Sequence, residues 1–398
     1  MNGHEGASAA IAANARCMDE RWLEAVYRVR ASPASIDARA EALALEQSVE
    51  LPLAAVTDRR VRDEVVARVV GIRPREDKRA GHDTRDCGAH DARDFEVTLA
   101  IATETTGCEA GQLLSMLFGN SSLHDDVALI DLRVPAELAQ RFGGPAHGIA
   151  GIRAVTGVAN GPLTCTALKP VGLSADDLAA RARTFARAGI DVVKDDHGLA
   201  DQASATFAER VPRIQRAIDD VNRADGQRCL YAPSLSGDLR TMLRRAALAR
   251  DCGVRMFLLA PMVSGVASLA VLARELSAPI LAHPALAGCA RIARPLLLGR
   301  LFRLFGADAT IFPHAGGRFG LPLAECEAIA AAARNDWHGV APALPVPAGG
   351  IDIPRVREVC AVYGDDAMLL VGGSLLAGQG ELEQRCRAFV AAVKGHSR

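Results

Sequence analysis

Seven ionisable side chains fall just beyond short apolar runs, and that placement makes them candidates for chemistry. Lys169 follows Leu163 to Leu168; Lys194, Asp195, Asp196 and His197 follow Ile190 to Val193; His283 follows Pro279 to Ala282; His314 lies just beyond Asp308 to Phe312. A lysine followed by two acids and a histidine offers oxygen and nitrogen donors to a divalent cation within four residues. A salt-bridged charge run is the alternative reading of the same four. Alternation along a strand turns Lys194 and Asp196 to one side and Asp195 to the other. Glycines fill other run ends: Gly316-Gly317-Arg318 after His314, Ala348-Gly349-Gly350 after Leu344 to Pro347, and Gly372-Gly373 after Ala367 to Val371. Their backbone N–H groups can approach a phosphate with no side chain in the way, although Gly-Gly also serves ordinary turns.

Such scattered groups need a frame that gathers strand ends. From Leu163 onward the chain alternates apolar runs with helical stretches; the remaining runs are Arg228 to Ala232 and Val254 to Ala260. Ser174 with Asp177 predicts a capped helix whose apolar face is Leu178, Ala182 and Phe185. Pro354 fits the first turn of another that carries Val356, Val359, Cys360 and Tyr363. Eight strand–helix units predict a (β/α)8 TIM barrel over residues 146–398, with its site at the C-terminal strand ends.

Residues 21–145 predict a smaller domain. Trp22 to Arg30 reads as a strand, Ile36 to Ser48 as a helix, Glu64 to Ile72 and Phe95 to Ala102 as strands, Ala110 to Phe118 as a helix and Val127 to Val134 as a strand. The order βαββαβ is that of a ferredoxin-like α+β domain. Pro74 to Asp94 predicts a mobile loop and residues 1–20 a flexible tail. Met256 to Ala273 is long and uncharged, but Pro261 and Ser264-Gly265 divide it into strand, turn and helix.

With 46 basic and 47 acidic residues, the chain has no global field to hold nucleic acid or an anionic membrane. The ten cysteines include no CxxC pair, and the first twenty residues have no secretory pattern, so a reducing, cytoplasmic location is expected. A small anionic metabolite is the expected partner.

In order and spacing, Thr166-Ala167-Leu168-Lys169-Pro170, Lys194-Asp195-Asp196, His283, Pro313-His314 with its glycines, Ala348-Gly349-Gly350 and Gly372-Gly373 resemble the large subunit of ribulose bisphosphate carboxylase (RuBisCO). Gly144-Pro145-Ala146-His147-Gly148-Ile149 is similar to the segment joining that family's two domains, and the likeness spans roughly residues 22 to 395. The resemblance implies a homodimer with shared sites, to which Glu46 belongs as a residue lent to the partner. It implies Mg2+ held by Asp196, His197 and Lys194, the last carrying CO2 as a carbamate. Lys169 becomes the acid or base, His283 and His314 contact substrate, and the glycine segments, with Arg318, bind its phosphate.

Departures from the carboxylase pattern argue against CO2 fixation. His197 stands where a glutamate ligand belongs, Pro284 where an arginine belongs, and Arg318-Phe319 where a loop lysine belongs; the Lys169-Pro170-Val171-Gly172 turn lacks a second lysine, and Ser115-Met116 replaces an asparagine. The resemblance therefore narrows to form IV, RuBisCO-like proteins. Lys-Pro-Val-Gly-Leu and Lys-Asp-Asp-His are most similar to the branch acting on 3-oxo acid phosphates from apiose breakdown. That favours a Mg2+-dependent decarboxylase, a carbon–carbon lyase, of a phosphorylated 3-oxo sugar acid. An enolase or isomerase of the methionine-salvage type, acting on a phosphorylated keto sugar, is the second expectation; a sugar-phosphate-binding barrel without catalysis is the third.

Overall fold

The computed structural model describes residues 20–75, 91–317, 319–377 and 381–395. It divides into two compact units, with the boundary between Arg141 and Phe142. The first contains strands β1 (Trp22–Ala31), β2 (Arg68–Pro74), β3 (Arg93–Ala102) and β4 (Val127–Arg133). They form an antiparallel sheet in the order β2-β3-β1-β4, the ferredoxin-like arrangement. Leu23, Ala25, Tyr27 and Val29 are buried on β1, as period-two alternation requires. The Tyr27 hydroxyl donates to the Leu117 carbonyl at 2.8 Å, tying the sheet to the helix Ala110–Phe118.

One expected strand starts late. Arg59–Glu64 is a helix, and β2 begins only at Arg68. Asp58 caps that helix by accepting from the Val61 N–H at 3.0 Å. Arg59–Asp63 and Arg60–Glu64 pairs at (i, i+4) support it, and together these local contacts outweigh the β preference of the valines. Most of the expected loop from Pro74 to Asp94 lies outside the described residues, and its ends belong to β2 and β3. The expected tail lies outside them as well, apart from Glu20.

The second unit contains β5 (Leu163–Leu168), β6 (Val192–Asp195), β7 (Leu230–Ala232), β8 (Phe257–Leu259), β9 (Ile280–Ala282), β10 (Ala309–Pro313), β11 (Leu344–Ala348) and β12 (Met368–Leu370). All eight apolar runs supply a strand. Their order is β7-β6-β5-β12-β11-β10-β9-β8, with parallel neighbours throughout. The ring closes where the Leu258 N–H donates to Pro233 O at 2.9 Å and the Leu235 N–H to Leu258 O at 2.8 Å. Inward side chains such as Val192, Met256, Leu281, Ile311, Val346 and Met368 fill the interior, and each full burial of such a residue contributes roughly 1.5–3 kcal/mol.

A helix, Gly148–Thr156, sends Ile149 and Ile152 into the same core at the N-terminal end of the barrel. The buried Asp308 carboxylate fixes its start by accepting from the His147 and Gly148 N–H groups, both at 2.7 Å, and from Ile280 N–H at 2.8 Å. A barrel plugged at that end leaves the C-terminal strand ends as the open face. Among the described residues, no helix is long and apolar enough to cross a membrane.

Candidate active site

The chemistry-bearing residues of β5 and β6 meet on the C-terminal rim. Ala167 pairs in register with Lys194 and Leu168 with Asp195, so Lys169 emerges beside Asp196. Lys169 Nζ donates to Asp196 Oδ2 at 2.7 Å, and Arg181 donates to the Lys169 backbone carbonyl. Burial pushes the Asp196 carboxyl upward, but Lys169, Lys194 and His197 together outweigh it and hold the group below its ordinary value.

Lys194 is only 2% exposed, and its Nζ donates to the Asp195 carbonyl at 2.9 Å. Desolvation drives its amine below the ordinary lysine value; Cys165 and Asp196 oppose the shift and Lys169 adds to it. Asp195 faces away, as alternation requires, into a buried network. It accepts from Arg210 Nε and Nη2 at 3.2 and 3.0 Å, from Tyr231 OH at 2.7 Å and from Ser234 N–H at 3.0 Å. The acid between the two candidate ligands is therefore the anchor of the strand end.

His197 Nδ1 lies 3.1 Å from Asp196 Oδ1, and its ring stacks on His283 with centroids 4.2 Å apart. His283 Nδ1 accepts from the Ala285 N–H at 3.1 Å, so its proton resides on Nε2. Burial, aided by Lys194 and His197, pushes the His283 pKa down to about 2, leaving a neutral imidazole across the working pH range. Lys169, Lys194, Asp196, His197 and His283 thus form one cluster.

His314 belongs to a second cluster on the β10 and β11 ends. It is 1% exposed, with Nδ1 2.9 Å from the Tyr363 hydroxyl and Nε2 3.5 Å from Arg355 Nη2. Burial and the Arg355 charge lower its pKa. Arg355 also donates to Gly350 O at 2.7 Å and to Ala315 O at 3.3 Å, clamping the loop after β10 to the loop after β11.

The glycines divide by the reason for their size. A Cβ on Gly350, whose φ is +70°, would lie 2.3 Å from Gly317 Cα, and one on Gly317 would lie 3.0 Å from Gly349 O. A Cβ on Gly316 would meet Arg355 Nη1 at 3.0 Å. Loop-to-loop contact explains these residues. Gly372 and Gly373 have no other protein atom within 4 Å of a Cβ position and no positive φ, so nothing in the chain itself demands glycine there. Gly349 is equally open, although its φ of +75° favours glycine, and Ala348 ends β11 beside it. Arg318 lies outside the described residues. In the first unit, Glu46 ends the helix Ile36–Glu46 and accepts from Asn120 Nδ2 at 2.9 Å.

Among the described residues, no three His, Cys, Asp or Glu side chains converge on a cation position. A cation held here would therefore need a donor from Lys194. An ammonium there repels a cation, whereas a carbamate adds anionic oxygens to the donors of Asp196 and His197. Carbamylation requires the neutral amine that burial favours, so this donor set fits a divalent ion once Lys194 is modified.

A closed parallel barrel with its ionisable groups on the C-terminal rim is the architecture shared by (β/α)8 enzymes. A model of the ribulose bisphosphate carboxylase large chain, catalytic domain, matches residues 148–309. Ribulose bisphosphate carboxylase-like protein 1 of Rhodopseudomonas palustris is 49% identical over 380 residues, 95% of this chain and 99% of the relative. The 5-methylthioribulose-1-phosphate isomerase of Rhodospirillum rubrum is 48% identical over 375 residues, 94% and 96% of the two chains. The crystal structure of a RuBisCO-like protein from Rhodopseudomonas palustris has a TM-score of 0.84 at 42% identity, covering 96% of this chain and 99% of that one. The chain belongs to the RuBisCO large-chain family, among its RuBisCO-like proteins.

Proposed function

We propose that this protein is an isomerase of a phosphorylated ketose, moving a proton between neighbouring carbons through an enediolate without gaining or losing carbon. The observation that carries this reading is the Lys169–Asp196 contact at 2.7 Å above a buried Lys194 on the barrel rim. One amine is positioned for proton transfer while an acid and a desolvated second amine stand beside it. Likeness to an isomerase over 94% of the chain favours this reading over the decarboxylation expected from the Lys-Pro-Val-Gly-Leu turn. 5-Methylthioribulose 1-phosphate is the first substrate to try.

Lys169 takes the proton from the carbon beside the carbonyl and returns one to its neighbour. Asp196, Lys194 as its carbamate, and His197 would hold Mg2+, which supplies positive charge to stabilise the enediolate oxygens. His283, neutral with Nε2–H available, donates to a substrate oxygen. The open backbone at Gly372 and Gly373 receives the phosphate, with Gly349 beside it. A homodimer that brings Glu46 to a partner's barrel completes the proposed assembly.

31P and 13C NMR of the protein with Mg2+, bicarbonate and 5-methylthioribulose 1-phosphate tests the reading. A new phosphate ester that retains every carbon supports it; 5-methylthioribulose 1-phosphate recovered unchanged, together with stoichiometric CO2 release from a phosphorylated 3-oxo sugar acid in a parallel assay, returns the assignment to the decarboxylase. Conversion that persists in Lys169→Ala removes the proposed acid–base group.

A further inference from the structure

A second site lies at the other end of the barrel. Arg228 stands two residues before β7 and Arg255 two residues before β8, so both leave the N-terminal strand ends, remote from Lys169 and Lys194. With Val155, Gly157, Asn222 and Arg223 they line a cleft of about 570 Å³. Gly157 ends the helix Gly148–Thr156 in the left-handed region, φ +71°, and a Cβ there would come within 2.4 Å of Arg228 Nη1. The small residue therefore leaves the guanidinium room to lie across the helix end.

The charges in this cleft are unbalanced. Arg223 is engaged by Asp220 at 2.5 Å, and the one carboxylate that lines the cleft among the described residues, Asp219, already accepts from Gln215 at 2.9 Å. Arg228 and Arg255 make no ion pair or side-chain hydrogen bond among the described residues. Asn222 serves the backbone: its amide donates to Cys229 O at 2.9 Å and accepts from Cys229 N–H at 3.0 Å, which fixes the strand entry directly after Arg228. Two unpartnered guanidinium forks on anchored backbone, beside a third arginine, suit an oxyanion that each can grip with paired N–H donors.

We propose that this cleft binds a small phosphate-bearing polyanion, with Arg228 and Arg255 as its arms. The volume exceeds that of a single phosphate and admits two linked ones, so inorganic pyrophosphate is the probe. Isothermal titration calorimetry of the full-length protein at physiological salt compares wild type with R228A/R255A and R228K/R255K. Each guanidinium–phosphate contact is worth about tenfold or more in affinity, so the alanine pair is expected to weaken binding roughly 100-fold. The lysine pair keeps the charge but loses the fork, and is expected to recover only part of that loss. Both positions are exposed, and unchanged thermal unfolding of the variants separates a binding defect from a folding defect. Wild type that binds no pyrophosphate, or binding that is unchanged in R228A/R255A, overturns the proposal.

Discussion

Replacing Arg210 by alanine is expected to destabilise the barrel severely, although Arg210 touches no candidate catalytic group. The Arg210 and Asp195 side chains are both 0% exposed, and two of the four donors to Asp195 come from that guanidinium. Truncation leaves a buried carboxylate held only by Tyr231 OH and Ser234 N–H, and strips partners from the Ala200 and Ala205 carbonyls. Breaking one side of a buried pair costs about 3–5 kcal/mol. At about 2–4 °C per kcal/mol for a unit of this size, the melting temperature should fall by roughly 6–20 °C. Urea unfolding followed by circular dichroism gives the loss directly. Asp195→Asn should cost less in an Arg210→Met background than in wild type, because it then removes an unpaired charge. A loss below about 1 kcal/mol, the range of an exposed pair, would refute the idea that this bond anchors the end of β6.

Three further outcomes follow from the rim. The neutral His283 binds no proton where the unfolded chain, with its ordinary value of 6.5, does. Stability should therefore fall below about pH 6.5 by up to ~1.4 kcal/mol per pH unit, and His283→Gln should flatten that slope in pH-dependent urea titrations. Gly372→Ala should leave stability within about 0.5 kcal/mol of wild type while raising KM for a phosphate ester, whereas Gly350→Ala should lower the melting temperature through its clash with Gly317. Arg355→Ala should raise the His314 pKa by removing a neighbouring positive charge, a shift that a histidine NMR titration reads.

The barrel was legible because each buried strand leaves an apolar run and each helix a cap or a 3.6-residue stripe. Ser174 indeed accepts from Asp177 N–H, and Val356, Val359, Cys360 and Tyr363 are all buried. The helix at Arg59–Glu64 was not legible: it buries no residue, so it leaves no apolar stripe, and its only signals are the Asp58 cap and surface charge pairs. Side chains at strand ends could be nominated from position alone. Their supports could not, since Arg210 reaches Asp195 across 15 residues, Tyr363 reaches His314 across 49, and Asn120 reaches Glu46 across 74. Only folding defines such pairs; the one available hint for Arg355 was its place in the helix start that follows the glycine loop after β11.

Proton transfer at a substrate carbon, mediated by Lys169, is most directly tested by solvent exchange. The protein is incubated with 5-methylthioribulose 1-phosphate, Mg2+ and bicarbonate in deuterated water, and the sugar protons are followed by 1H NMR. Deuterium should enter beside the carbonyl with every carbon kept, and Lys169→Ala should abolish the exchange. Turnover that leaves those protons untouched, or exchange of equal rate in Lys169→Ala, would contradict the assignment.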